Sequence, residues 1–176
     1  MRYLLLTLTA IGFLCSCTPP PPCPECPEAD WSEFEKNKAT LESMFAGFQA
    51  KTIDPSIYAD DFVDVGTSLN EADRNKAEAL EQFQMLTTML TMELNDAVYL
   101  PGIDTANFEM DGSVRYYGKW SMQMGEATEE LMAYGSMDFN DEGQMTSIQH
   151  YADWTATFGA LLQANPEIMA QMNAME

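Results

Sequence analysis

The chain has 176 residues, with 28 Asp and Glu against 8 Lys and Arg for a formal charge of −20, and 46 % hydrophobic residues. That length suits one domain with a real core and argues against wholesale disorder. The charge argues against nucleic acid, whose phosphates need Lys and Arg to displace their counterions, and makes anionic lipid headgroups poor partners.

Arg2 gives a short positive start, and Leu4 to Leu14 form an apolar run of eleven residues. That falls well short of the ~20 residues that span a bilayer, so the run reads as the apolar stretch of an export signal. It ends in Leu14-Cys15-Ser16-Cys17, which resembles the bacterial lipobox: an aliphatic residue, a small residue, then the cysteine that is acylated and becomes the new N-terminus. The resemblance implies a signal peptide over residues 1–16 and a palmitate-type lipid on Cys17. The partner it implies is the lipid bilayer, reached through acylated Cys17. Each buried CH₂ adds ~0.8 kcal/mol of membrane affinity, so several acyl chains hold a protein essentially permanently. By analogy with the sorting rule of enteric bacteria, Thr18 rather than Asp after the acylated position points to the outer membrane, facing periplasm or cell surface.

Residues 17–30 form a tether. Six of the twelve residues from Thr18 to Ala29 are proline, against three in the rest of the chain (Pro55, Pro101 and Pro166). At ~3 Å per residue such a polyproline stretch makes a semi-rigid stalk of roughly 35 Å. Cys23-Pro24-Glu25-Cys26 within it has CxxC spacing, but no strand precedes it and no second CxxC or clustered His accompanies it. A local disulfide, an intermolecular one or two exposed thiols all fit an oxidising compartment.

From Trp31 the chain changes character. Trp31, Phe34, Leu41, Phe45 and Phe48 fall on one face of a helix running to about Lys51, with Asp30 or Ser32 to cap it. Pro55 opens a second helix through Tyr58-Ala59-Asp60-Asp61-Phe62. A third runs from about Glu71 to Met92, capped by Asn70. A strand over about Met92 to Leu100 follows. Val114, Tyr116, Gly118, Trp120, Met122 and Met124 then alternate with polar neighbours in a long half-buried strand. Leu131 to Phe139 repeats the pattern, Asn140-Asp141-Glu142-Gly143 turns, and Gln144 to Asp153 returns. A helical segment from Trp154, interrupted near Pro166, closes the chain.

Three helices followed by a meander of strands is an α+β pattern. Tyr58-Ala59-Asp60-Asp61-Phe62, Phe139 to Met145 and His150-Tyr151-Ala152-Asp153 resemble the nuclear transport factor 2-like superfamily, and within it the SnoaL-like group. The resemblance implies a cone over residues 31–160, in which three N-terminal helices pack on a curved antiparallel sheet, with a Met-rich helical extension over 161–176. It implies a pocket inside the cone that serves isomerases, dehydratases and cyclases, or passive binding and dimerisation modules. A small apolar ligand and a second copy of the chain are therefore the partners it suggests, and no cofactor is implied.

Catalysis in this family, where present, uses an Asp, Tyr or His inside the cone. His150 shares its strand face with Ile148, Ala152 and Trp154 and points inward, away from Asp153. Asp96, between Leu94 and Val98, reads as a carboxylate on an apolar face, where a raised pKa suits proton abstraction next to a carbonyl. Tyr116 joins these two as a candidate catalytic group, and Trp120, Tyr58 and Met137 are candidate ligand contacts. Packing remains the ordinary alternative for each.

Two metal patterns are weaker. Asp138 to Gly143 begins like an EF-hand loop, but Gln149 stands where a bidentate Glu is required. Met169, Met172 and Met175 offer soft thioethers for Cu(I), yet their spacing also traces one face of a packed helix. No metal site is expected. The acidity is placed on helix faces and turns, including Asp60, Asp61, Asp64, Glu71, Asp73, Glu78 and Glu81, as a solvated surface.

Overall fold

The computed structural model describes residues 30–173. The signal-peptide reading, Cys17 and the CxxC pair all lie outside the described residues. Helix α1 (Ser32–Ala50) follows the predicted stripe: Phe34, Leu41, Phe45 and Phe48 are buried, joined by Met44, whereas Trp31 at its start is half exposed. Asp30 accepts a hydrogen bond from the Ser32 N–H at 2.9 Å.

A single 3-10 turn at Pro55–Ile57 leads not into a helix but into strand β1 (Tyr58–Val65). Tyr58, Ala59 and Phe62 are all buried, a helix-like spacing. Its cause is a bulge: between Tyr58 and Val63, β1 advances five residues while its partner strand advances two, from Met145 to Ser147. The extra residues push Asp60 and Asp61 to solvent and keep the aromatics inside. The N-terminal part therefore has two helices, where the sequence predicts three.

β2 (Arg74–Asn75) pairs with β1, and α2 (Lys76–Met89) starts later than predicted. Its cap is Asn75, whose side chain accepts from the Ala77 and Glu78 N–H groups while Glu78 reaches back in a capping box. Asn70, the predicted cap, sits in the left-handed region at φ 62°.

Strands β3 (Thr91–Ile103), β4 (Met110–Met124), β5 (Ala127–Phe139) and β6 (Met145–Ala152) form the predicted meander. The six-stranded sheet has the order β2-β1-β6-β5-β4-β3. All neighbours are antiparallel except β1 and β6, which run parallel, so the sheet is mixed rather than purely antiparallel. The turn between β5 and β6 needs Gly143 at φ 81°, and Lys36 donates to the Asp141 carbonyl there. The Lys36 ammonium faces this EF-hand-like stretch.

Helices α3 (Trp154–Ala164) and α4 (Pro166–Asn173) close the chain. Asn165, between them, is buried and donates to the Met124 and Leu161 carbonyls at 2.9 and 2.8 Å, tying the helix break to the end of β4. Met169 is partly exposed on α4, and the side chains of Met172 and Met175 lie outside the described ones. The core fills the concave side of the sheet, where Val114, Tyr116, Trp120, Met122 and Met124 of β4 meet Phe45 and Phe48 of α1.

Candidate functional site

The core is not filled to the end. A cavity of about 320 Å³ opens between α1, α2, α3 and the concave sheet face. Its walls are apolar: Phe45 and Phe48 from α1, Phe83, Leu86 and Met89 from α2, and Trp154 and Phe158 from α3. The sheet adds Met92, Trp120, Met122 and Ala133, together with three polar groups, Asp64, Tyr116 and His150.

Aromatic contacts fix the geometry. The Phe45 ring lies 4.7 Å from Tyr116 and 5.1 Å from Trp120, edge-on to the indole. Tyr116 meets His150 edge to face at 5.4 Å. The register puts Tyr116 of β4 beside Gly135 of β5, and Gly135 beside His150 of β6, in one row. A Cβ on Gly135 would lie 2.5 Å from the Tyr116 ring, so glycine is what lets the phenol lie across the strand toward the imidazole.

His150 Nε2 is shut off from solvent and has no hydrogen-bond partner in the protein. Burial alone pushes its pKa down to about 4, so the imidazole is neutral at pH 7 and presents an unused polar edge. Its carbonyl accepts from the Thr67 hydroxyl. Burial pushes the Tyr116 phenol up, opposed by the Trp120 indole N–H, so this group too stays uncharged.

The rim carries charge. Asp64 is buried rather than solvated, which corrects its placement among the surface acids. Arg74 donates from Nε to Asp64 Oδ2 at 2.9 Å and from Nη1 to Glu71 Oε1 at 2.9 Å. Burial raises the Asp64 carboxyl, and the Arg74 guanidinium offsets part of that rise. Burial acts upward on Glu71 as well, but the Ser68 and Thr67 N–H groups and Arg74 outweigh it and hold this carboxyl low.

Of the residues proposed from sequence, His150, Tyr116 and Trp120 come together in this cavity. Asp96 does not. A bulge sets Leu94 opposite Trp120 but Asp96 opposite Lys119, so one extra residue reverses the strand's alternation. Asp96 is exposed and Val98 is 53 % exposed, on the outer face of the sheet. Tyr58 packs on Phe62 and Phe83 and borders a separate crevice of about 290 Å³ between α1 and the 3-10 turn. Met137 is fully buried beside Gly135 and does not line the cavity. Asp64, Glu71 and Arg74 were missed as site residues. The one signal for them was an Arg within reach of several acids in 64-DVGTSLNEADR-74. Among the described residues no cluster of three or more His, Cys, Asp or Glu is placed to hold a metal.

No family model matches the chain, and no curated protein matches its sequence. Solved structures do match in shape. A candidate isomerase from Bacillus subtilis superposes with a TM-score of 0.60 at 14 % identity, over 72 % of this chain and 95 % of that one. A nuclear transport factor 2-like protein from Burkholderia xenovorans gives 0.54 at 16 %, over 72 % and 96 %. An LEH-like epoxide hydrolase from Mycobacterium tuberculosis gives 0.52 at 15 %, over 78 % and 97 %. The chain has the nuclear transport factor 2-like fold. At these identities the likeness establishes fold and not activity.

Proposed function

We propose that the chain is a lipid-anchored cell-envelope protein whose domain binds a small, mainly apolar ligand with one hydrogen-bonding group. The observation that carries the binding reading is an apolar cavity of about 320 Å³ lined by His150, whose buried Nε2 has no hydrogen-bond partner in the protein. A buried polar atom left without a partner is costly, and a ligand hydroxyl or carbonyl supplies one. At about 30 Å³ per water-sized group the space holds roughly ten non-hydrogen atoms. 2-Naphthol has the right size and polarity for a probe. Titrated into the full chain in detergent, it gives a saturable change in tryptophan emission, since Trp120 and Trp154 line the cavity. His150→Phe weakens that binding about tenfold, the loss of one hydrogen bond worth about 1.4 kcal/mol. A titration without saturation overturns the reading.

Anchoring rests on the sequence Leu14-Cys15-Ser16-Cys17 alone. Cys17→Ala moves the protein from the membrane to the soluble fraction, and retention of the variant in the membrane refutes acylation there.

A second reading is catalysis of isomerisation or dehydration. The observation favouring it is Asp64, a buried carboxylate lining the same cavity as Tyr116 and His150. Such a group acts as a general base toward a C–H next to a carbonyl, with Tyr116 donating to the oxygen. Asp64→Asn then abolishes proton exchange on a bound ketone, and unchanged exchange removes this reading.

A further inference from the structure

The cavity has a single permanent cation on its rim, and that cation is already taken. Arg74 Nε and Nη2 both lie 2.9 Å from Asp64 Oδ2, and Nη1 lies 2.9 Å from Glu71 Oε1. Glu71 is itself fixed, because its other oxygen accepts from the Thr67 and Ser68 N–H groups at 3.1 and 3.0 Å. Asp64 is the more confined partner: its side chain is 8 % exposed, against 26 % for Arg74.

We propose that Asp64 and Glu71 make the rim a charge filter, so that the site takes uncharged ligands and rejects carboxylates of the same shape. The proposal rests on the ligand-binding reading above and specifies its ligand class.

An incoming carboxylate has two places to go. At the rim it competes for Arg74, and success strands Asp64 as a buried unpaired charge, which is among the most costly arrangements in a protein. Even without displacement it meets two carboxylates against one guanidinium, in a chain whose formal charge is −20. Deeper in, it meets Phe45, Phe83 and Trp120, which offer no compensation for lost hydration. The polar groups there, the Tyr116 phenol and the neutral imidazole of His150, are uncharged and do not neutralise an anion. An uncharged ligand avoids each of these costs. It leaves the Arg74 pairs intact.

The test compares 2-naphthol with 2-naphthoic acid at pH 7 and 0.15 M salt, each titrated into the full chain in detergent and into two variants. The wild-type protein binds the alcohol at least about tenfold more tightly than the acid. Glu71→Gln and Asp64→Asn each remove one competing anion and free part of Arg74, so each lowers that ratio about tenfold, mainly by strengthening the acid. Equal binding of the two probes by the wild type, or a ratio unmoved in both variants, overturns the filter and leaves the ligand-binding reading intact. Failure of both probes to bind the wild type refutes that reading instead. Circular dichroism establishes that each variant is folded. Should Asp64→Asn fail to fold, Glu71→Gln decides alone, because its side chain is on the partly exposed rim.

Discussion

Truncating Phe45 to alanine destabilises the domain by about 3–5 kcal/mol, the range for removing a ring from a core that cannot collapse to fill the gap. Phe45 is 1 % exposed and is the point where α1 meets the sheet. Its ring touches both Tyr116 and Trp120, two residues that are themselves at most 3 % exposed. Tyr116 cannot follow it inward, because it is held across Gly118 and Gly135, where its ring atoms already lie closer than a Cβ would allow. The vacated volume therefore adds to the neighbouring cavity, and the variant accommodates a larger probe than 2-naphthol. Urea denaturation measures the loss. A change below about 1 kcal/mol means that α1 does not seal the cone as described.

Acidification from pH 7 to 4.5 removes about 2–3 kcal/mol of stability through His150 alone. The imidazole titrates near 6.5 in the unfolded chain and near 4 in the folded one, with burial as the cause. Above pH 6.5 both states are neutral and the group makes no difference with pH. Below it the unfolded chain takes up a proton that the folded chain refuses, so stability falls steadily until pH approaches 4. Other groups act in the same range. Asp64, raised in the folded state, works in the opposite direction as its carboxyl protonates, and Glu71, held low, works in the same direction as His150. Comparison with His150→Phe isolates the histidine: between pH 6.5 and 4.5 the wild type loses stability that the variant keeps. Parallel curves would show that this imidazole is not buried and neutral.

What was legible in the sequence follows from how far a pattern runs without interruption. β4 alternates over its whole core-facing stretch from Val114 to Met124, so the placement of Tyr116 and Trp120 could be read directly. His150 was legible for the same reason, as a second inward position after Ile148. The two misplacements share one cause. A bulge in β1 gave Tyr58 to Phe62 a helical spacing, and a bulge at Asn95 turned Asp96 outward. An inserted residue leaves the composition untouched while reversing the face of everything beyond it. Asp64 was illegible for a different reason. A carboxylate is buried only where a specific partner neutralises it, and Arg74 is brought to it by the pairing of β2 with β1.

The parallel pairing of β1 with β6 sets the order in which the domain can be completed. β1 joins β2 over a short connection, and β4, β5 and β6 each pair with the preceding strand, whereas Val63 to Val65 meet Ser147 to Gln149 across about eighty intervening residues. Closing so long a loop adds little to the equilibrium cost, because that cost grows only with the logarithm of length, but it slows the search. β1 lies inside the sheet, between β2 and β6, and has no other large template. A chain delivered N-terminus first thus keeps β1 and its partner β2 unsettled until the last strand arrives. Synthesis or transport reaches residue 150 before the cone can shut.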